Sequence, residues 1–128
     1  MSVREYIEES ILLLTISPIV ASFKVIKRRE TESDGYLRAR AVITDESLLE
    51  ISMYWQSAEN GVRLIGYRFH WQNEKSKLVR RWDNAKHHPE IKTFPFHMHI
   101  GKDENIKESV RMDLWKILRI LESEVEKA

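Results

Sequence analysis

Residues 67–101 read YRFHWQNEKSKLVRRWDNAKHHPEIKTFPFHMHIG. From Tyr67 to Gln72 the side chains alternate, with Tyr67, Phe69 and Trp71 against Arg68, His70 and Gln72. A two-residue period is that of a strand with one buried face. After the polar turn Asn73–Ser76 the alternation resumes, with Leu78, Arg80 and Trp82 against Val79, Arg81 and Asp83. Two such runs about a short turn predict an antiparallel hairpin. Residues 84–95 form a loop stiffened by Pro89 and Pro95, and Phe96–Ile100 reads as one more short strand, with His97 and His99 on one side.

Upstream the same period continues. The strand of Trp71 reaches back to Val62, with Ile65 on the side of Tyr67. Leu49, Ile51, Met53 and Trp55 alternate with Glu50, Ser52 and Tyr54, and Leu37, Ala39, Ala41 and Ile43 with Tyr36, Arg38 and Arg40. Ile19–Glu30, rich in Val, Ile and Phe, reads as the first strand, with Asp34-Gly35 as the hairpin turn that follows it. Ser2–Leu14 reads as a helix, opened by the capping box Ser2-x-x-Glu5 and closed before Pro18. A second helix is expected from Asn105, with Glu108 three residues on and an apolar stripe at Ile106, Val110, Leu114, Ile117, Leu121 and Val125. The fold expected is α+β, a single domain over residues 1–128: an antiparallel meander of five to six strands with N- and C-terminal helices packed on one face. Alternation then leaves Arg38, Arg40, Glu50, Tyr54, Arg68, His70, Gln72, Arg81 and Asp83 on an open face.

Charge is unevenly spread. Residues 62–102 carry nine Lys/Arg against three Asp/Glu, a local balance of +6 in a chain whose total is +1, and they hold all five histidines. Such a concentration marks an anion-facing region. The chain has no cysteine, which excludes disulfides, thiolate metal sites and cysteine nucleophiles. No apolar run approaches the roughly 20 residues of a membrane span, and the opening MSVREYIEES is acidic where a signal peptide is basic. A soluble, cytoplasmic protein is the expectation.

The motif Arg80-Arg81-Trp82-Asp83-Asn84-Ala85-x-His87-His88-Pro89-Glu90 is long and unusual. With Tyr67–Gln72 before it, Thr93-Phe94-Pro95 and His97-x-His99 after it, and Ser17-Pro18-x-Val20-Ala21 and Gly35–Arg40 upstream, it resembles the TumE family of small prokaryotic toxins. The resemblance covers most of the chain up to Gly101. It implies the toxin half of a two-gene toxin–antitoxin module, and a partner antitoxin that is a helix-turn-helix DNA-binding repressor. It implies no catalytic residues.

The residues themselves suggest chemistry. Cleaving RNA without a metal needs a base for the 2′-hydroxyl, an acid for the leaving oxygen and cations for the phosphorane charge. His70 can move a proton near neutrality, Arg68 and Arg81 can hold phosphate, and Tyr54 or Glu50 can assist. His87 or His88 is a second candidate for proton transfer, with His88 the one expected to brace the loop. Arg38, Arg40, Arg80 and Lys86 are candidate RNA contacts. The bland alternative is a solvated face laced with ion pairs. Trp71 and Trp82 read as core, although with Phe94 and Phe96 they could also stack bases. His97-x-His99 can chelate Zn2+ or another divalent ion if His87 or His88 and Asp83 or Glu90 complete the set. Otherwise one His lies against aromatics and the other meets solvent, and no cofactor is required. The expected function is a type II toxin acting as a metal-independent ribonuclease. The alternative is a non-catalytic protein whose basic face engages RNA, a ribosome or an antitoxin. Apolar residues of the last helix are candidates for antitoxin binding or a homodimer.

Overall fold

The sheet is a continuous meander. In the computed structural model, which describes residues 1–127, the elements are α1 (Val3–Ile16), β1 (Val20–Glu30), β2 (Asp34–Ile43), β3 (Leu48–Ala58), β4 (Gly61–Gln72), β5 (Leu78–Asp83), β6 (His97–Ile100), β7 (Ile106–Glu108) and α2 (Leu114–Lys127). Each strand pairs antiparallel with the next, in spatial order β1 to β7. The expected α+β class holds, with seven strands rather than five to six. Among the described residues no helix is long and apolar enough to cross a membrane.

The alternation read from the sequence decides which face is covered. Leu37, Ala39, Ala41, Leu49, Ile51, Met53, Phe69, Trp71 and Trp82 are buried, together with Val3, Ile7 and Leu14 of α1 and Ile117, Leu118 and Leu121 of α2. Both helices therefore lie on one side of the sheet. Ser2 caps α1 through the expected box: its hydroxyl accepts from Glu5 N–H at 3.1 Å, and Glu5 accepts from Ser2 N–H at 3.0 Å.

Three local expectations are corrected. Asp34 and Gly35 lie inside β2, and the chain reverses earlier, where the Thr31 hydroxyl accepts from the N–H groups of Ser33 and Asp34 at 3.2 and 3.0 Å. Gly35 serves close approach instead: a Cβ there would overlap Val3 Cγ1 and stand 3.1 Å from Ile7 Cδ1. Gly35→Ala is therefore expected to lower stability by about 1–3 kcal/mol through overpacking. Urea unfolding checks this, and an unchanged midpoint would contradict it.

A bulge at Ile65 shifts the register of β4, so Leu64 pairs with Trp55 and Gly66 with Tyr54. Ile65 is accordingly exposed, not aligned with Tyr67. Finally, Asn105 does not cap a helix. Its amide donates to Ile100 O at 3.0 Å, its own carbonyl accepts from Ile100 N–H at 3.1 Å, and Ile106–Glu108 pair with β6. The cap of α2 is Asp113, whose carboxylate accepts from Lys116 N–H at 2.8 Å. Val110, from the expected stripe, is 67% exposed.

Candidate functional site

Cross-strand pairing assembles the open face in two transverse rows. One runs Arg40–Glu50–His70–Arg81–His99 across β2 to β6, and the next runs Arg38–Ser52–Arg68–Asp83–His97. Directly paired residues share a face, so these side chains stand on the side away from the helices. The sequence reading of this face is sound from Arg38 to Asp83.

The cations on it are not equivalent. Arg40 is neutralised by Glu50, at 2.8 Å. Arg81 is partly buried and paired with two carboxylates, Asp103 Oδ1 at 2.8 Å and Asp83 Oδ2 at 3.5 Å. Among the described residues Arg38 and Arg68 form no ion pair. A groove of about 280 Å3 lined by Tyr36, Arg38, Glu50, Ser52 and Arg68 lies to one side of Arg68. A wider one of about 640 Å3, lined by Arg68, Arg81, Asn84, Lys86 and His87, lies to the other. Arg68 thus stands at the junction of both.

His70 sits between Glu50 and Arg81 in its row, and its Nδ1 is buried with no hydrogen-bond partner. Burial pushes its imidazole below the ordinary range, helped by the charges of Arg68 and Arg81 and opposed by Gln72 and Glu50. Near neutral pH the ring is therefore uncharged. The linkage has a definite sign. A folded midpoint below the unfolded value leaves the stability contribution intact above about pH 6.5, and it is lost as pH falls from there through the folded midpoint. By NMR the His70 midpoint is expected below about 6.5. The stability of wild type relative to His70→Asn should shrink as pH drops from 7 to 5. A midpoint at or above the ordinary value would contradict the burial argument.

Other candidates are placed elsewhere. The Tyr54 hydroxyl donates to Asp34 Oδ2 at 2.8 Å, and this bond pushes its phenol above the ordinary value. Tyr54 pairs with Gly66, not with a member of the His70 row. Arg80 faces the helices: it pairs with Trp71 and Ile100, meets Glu124 of α2 at 2.8 Å and lies 5.3 Å over the Trp82 ring. It is a structural contact, not part of the open face. Trp71 and Trp82 are core, as expected.

The start of the loop after β5 is fixed by Asp83 and Asn84. Asp83 Oδ1 accepts from Ala85 N–H at 3.0 Å. Asn84 continues the ladder at the β4 bulge, accepting from Tyr67 N–H at 3.0 Å and donating to Ile65 O at 2.8 Å. The loop then divides its histidines. His87 lines the wider groove. His88 turns onto β6, with its ring 5.1 Å from that of His97 and 6.0 Å from that of His99. Neither His97 nor His99 meets solvent. His97 Nδ1 is 2.9 Å from Pro95 O and His99 Nδ1 is 2.7 Å from Asp103 O. Burial lowers the proton affinity of His99, against the pull of the Asp103 carbonyl. Asp103, which holds both Arg81 and His99, carried no signal in the sequence because it acts only through the β6–β7 hairpin.

The family model described as Toxin TumE matches residues 7–127, nearly the whole chain and all of the site just described. The chain belongs to the TumE toxin family. Membership brings the match past Gly101 into α2, where the motifs alone did not reach. It supports a toxin role for this TumE protein and implies an antitoxin partner. Comparison with curated proteins and with solved structures finds no match.

Proposed function

We propose that this TumE protein is a type II toxin that cleaves RNA without a metal, in the cytoplasm, using the open face of its sheet. The observation that carries the reading is His70: a half-buried, uncharged imidazole whose Nδ1 has no partner among the described residues, one row from Arg68 and Arg38, which form no ion pair among them. In this reading Arg68 and Arg38 hold the phosphate backbone, with Lys86 extending the basic track along the wider groove. His70 takes the proton of a 2′-hydroxyl, whose oxygen attacks the adjacent phosphorus. Arg81 faces the charge that develops there. His87 gives a proton to the departing 5′-oxygen, leaving a 2′,3′-cyclic phosphate and a free 5′-hydroxyl. The antitoxin is a helix-turn-helix repressor that covers or sequesters this toxin.

A binding-only reading keeps its place because two of the expected catalytic groups are otherwise engaged. Tyr54 is committed to Asp34, and Arg81 to two carboxylates. Turnover separates the readings. Purified toxin at one-hundredth the RNA concentration is expected to convert most of the RNA, and His70→Ala to bind it with similar affinity but cleave at least about 100-fold more slowly. Binding without turnover by the wild type would leave the non-catalytic reading.

A further inference from the structure

We propose that His88, His97, His99 and Asp83 form a divalent-cation site, suited to Zn2+, that pins the 84–96 loop to the sheet. This inference goes beyond the RNA reading and does not depend on it.

The four side chains come from three separate places. Asp83 closes β5, His97 and His99 share one face of β6 two residues apart, and His88 arrives from the loop. Strand register sets Asp83 directly opposite His97. One ring nitrogen from each of the three histidines lies within 4.8 Å of the other two. The ring centroids of His97 and His99 are 5.0 Å apart.

The outward nitrogens are already occupied. His97 Nδ1 faces Pro95 O at 2.9 Å, His99 Nδ1 faces Asp103 O at 2.7 Å, and His88 Nδ1 faces Glu90 Oε1 at 3.3 Å. Carbonyl and carboxylate oxygens only accept, so each Nδ1 carries the proton and donates it outward. In the neutral ring the remaining lone pair is on Nε2. Asp83 supplies more lone pairs on that side: its Oδ1 is 2.9 Å from His97 Nε2 and its Oδ2 3.6 Å from His99 Nε2. Lone pairs converging on one buried place call for a cation between them, a proton or, with three imidazoles to hand, a divalent ion. A backbone or carboxylate partner on the far nitrogen is also what orients histidines that ligate metals.

Ligand type and burial select the ion. Three imidazoles and one carboxylate, with no thiolate in the chain, suit Zn2+ at about 2.0–2.1 Å per bond in a closed tetrahedral set. Tetrahedral ligands at that length stand about 3.3 Å apart, so the three imidazole nitrogens, within 4.8 Å of one another, would draw in around the ion while Asp83 Oδ1, now 2.9 Å from His97 Nε2, would move slightly apart from it. His97, His99 and Asp83 are 3%, 5% and 8% exposed, whereas His88 is partly open and provides the way in. The nearby guanidinium of Arg81 does not forbid a cation. Asp103 offsets it at 2.8 Å, and its contact is with Oδ2 of Asp83, so the lone pair of Oδ1 that does not accept from Ala85 N–H is left for the ion. An ion here would fix the loop segment that carries Lys86 and His87 along the wider groove.

The test uses the full chain without an affinity tag, stripped with a chelator and titrated with Zn2+ and with Co2+. One equivalent of Zn2+ is expected to bind and to raise the thermal midpoint. One equivalent of Co2+ should give the strong visible bands of a tetrahedral ion. His97→Ala and His99→Ala should each weaken Zn2+ binding at least about 100-fold and His88→Ala at least about tenfold, while His87→Ala changes neither affinity nor spectrum. His88→Ala keeps the test decisive if the buried variants fail to fold, because His88 is the ligand outside the sheet. No stoichiometric binding, or binding that survives His88→Ala and His97→Ala unchanged, overturns the proposal and leaves Asp83 and His97 as a simple charged pair.

Discussion

Asp83→Ala is expected to cost the metal-free protein about 3–5 kcal/mol, the loss typical when one partner of a buried charged network is removed. The residue is short and stands at a strand end, so the size of this effect comes from what its carboxylate holds. Oδ1 fixes the turn through Ala85 N–H at 3.0 Å and meets His97 at 2.9 Å, while Oδ2 faces Arg81 at 3.5 Å and His99 at 3.6 Å. Removing the carboxylate leaves the partly buried Arg81 with Asp103 alone and frees the first residues of the loop. Asp83→Asn keeps the oxygen that accepts from Ala85, so it should cost less than the alanine variant. Chemical unfolding of the chelator-treated proteins gives the comparison. If Asp83→Ala fell within about 0.5 kcal/mol of wild type, as ordinary surface substitutions do, the network would not be holding the loop.

The second large effect is on function with little on stability. Arg68 is exposed, forms no ion pair among the described residues, and borders both grooves of the open face. Arg68→Glu therefore replaces a free cation by an anion where the phosphate chain is expected to lie. RNA affinity should fall at least about tenfold, and the dependence of binding on salt should flatten by about two charges. Toxicity should fall with it, while the unfolding midpoint stays near that of wild type. Arg40→Glu is the informative contrast. Arg40 lies on the same face but is already neutralised by Glu50 at 2.8 Å, so reversing it should change RNA affinity less. Equal losses from the two variants would mean that the face attracts RNA only by its summed charge and has no preferred track.

Much of this arrangement was legible because a strand period of two needs only local sequence. Arg38, Arg40, Glu50, Arg68, His70, Arg81 and Asp83 were assigned to the open face from alternation, and the strand pairing brings them into two rows there. The misreadings have specific causes. Asn105–Glu108 fits a helix start as well as it fits a hairpin, and only pairing with β6 decides between them. Asp34-Gly35 carries the residues of a turn, but the glycine is required by Val3 and Ile7, which arrive from a helix about 30 residues away in sequence. One inserted residue at Ile65 reversed the expected side for the start of β4. Arg80 belonged to the helix face by its own alternation with Trp82, and its positive charge alone had suggested RNA. The gathering of His88 with His97 and His99 depends on where a loop crosses a strand. Spacing showed the pair on β6 and left its third member open between His87 and His88.

The central claim is that this TumE toxin acts on RNA through the face that carries His70 and Arg68. Induced expression of wild type and of His70→Ala, with total RNA followed through the first minutes of growth arrest, tests it most directly. Early RNA fragments from wild type, with neither fragments nor arrest from a folded His70→Ala protein, are the expected result. Arrest by the wild type with its RNA intact, or equal fragmentation by both proteins, would contradict it.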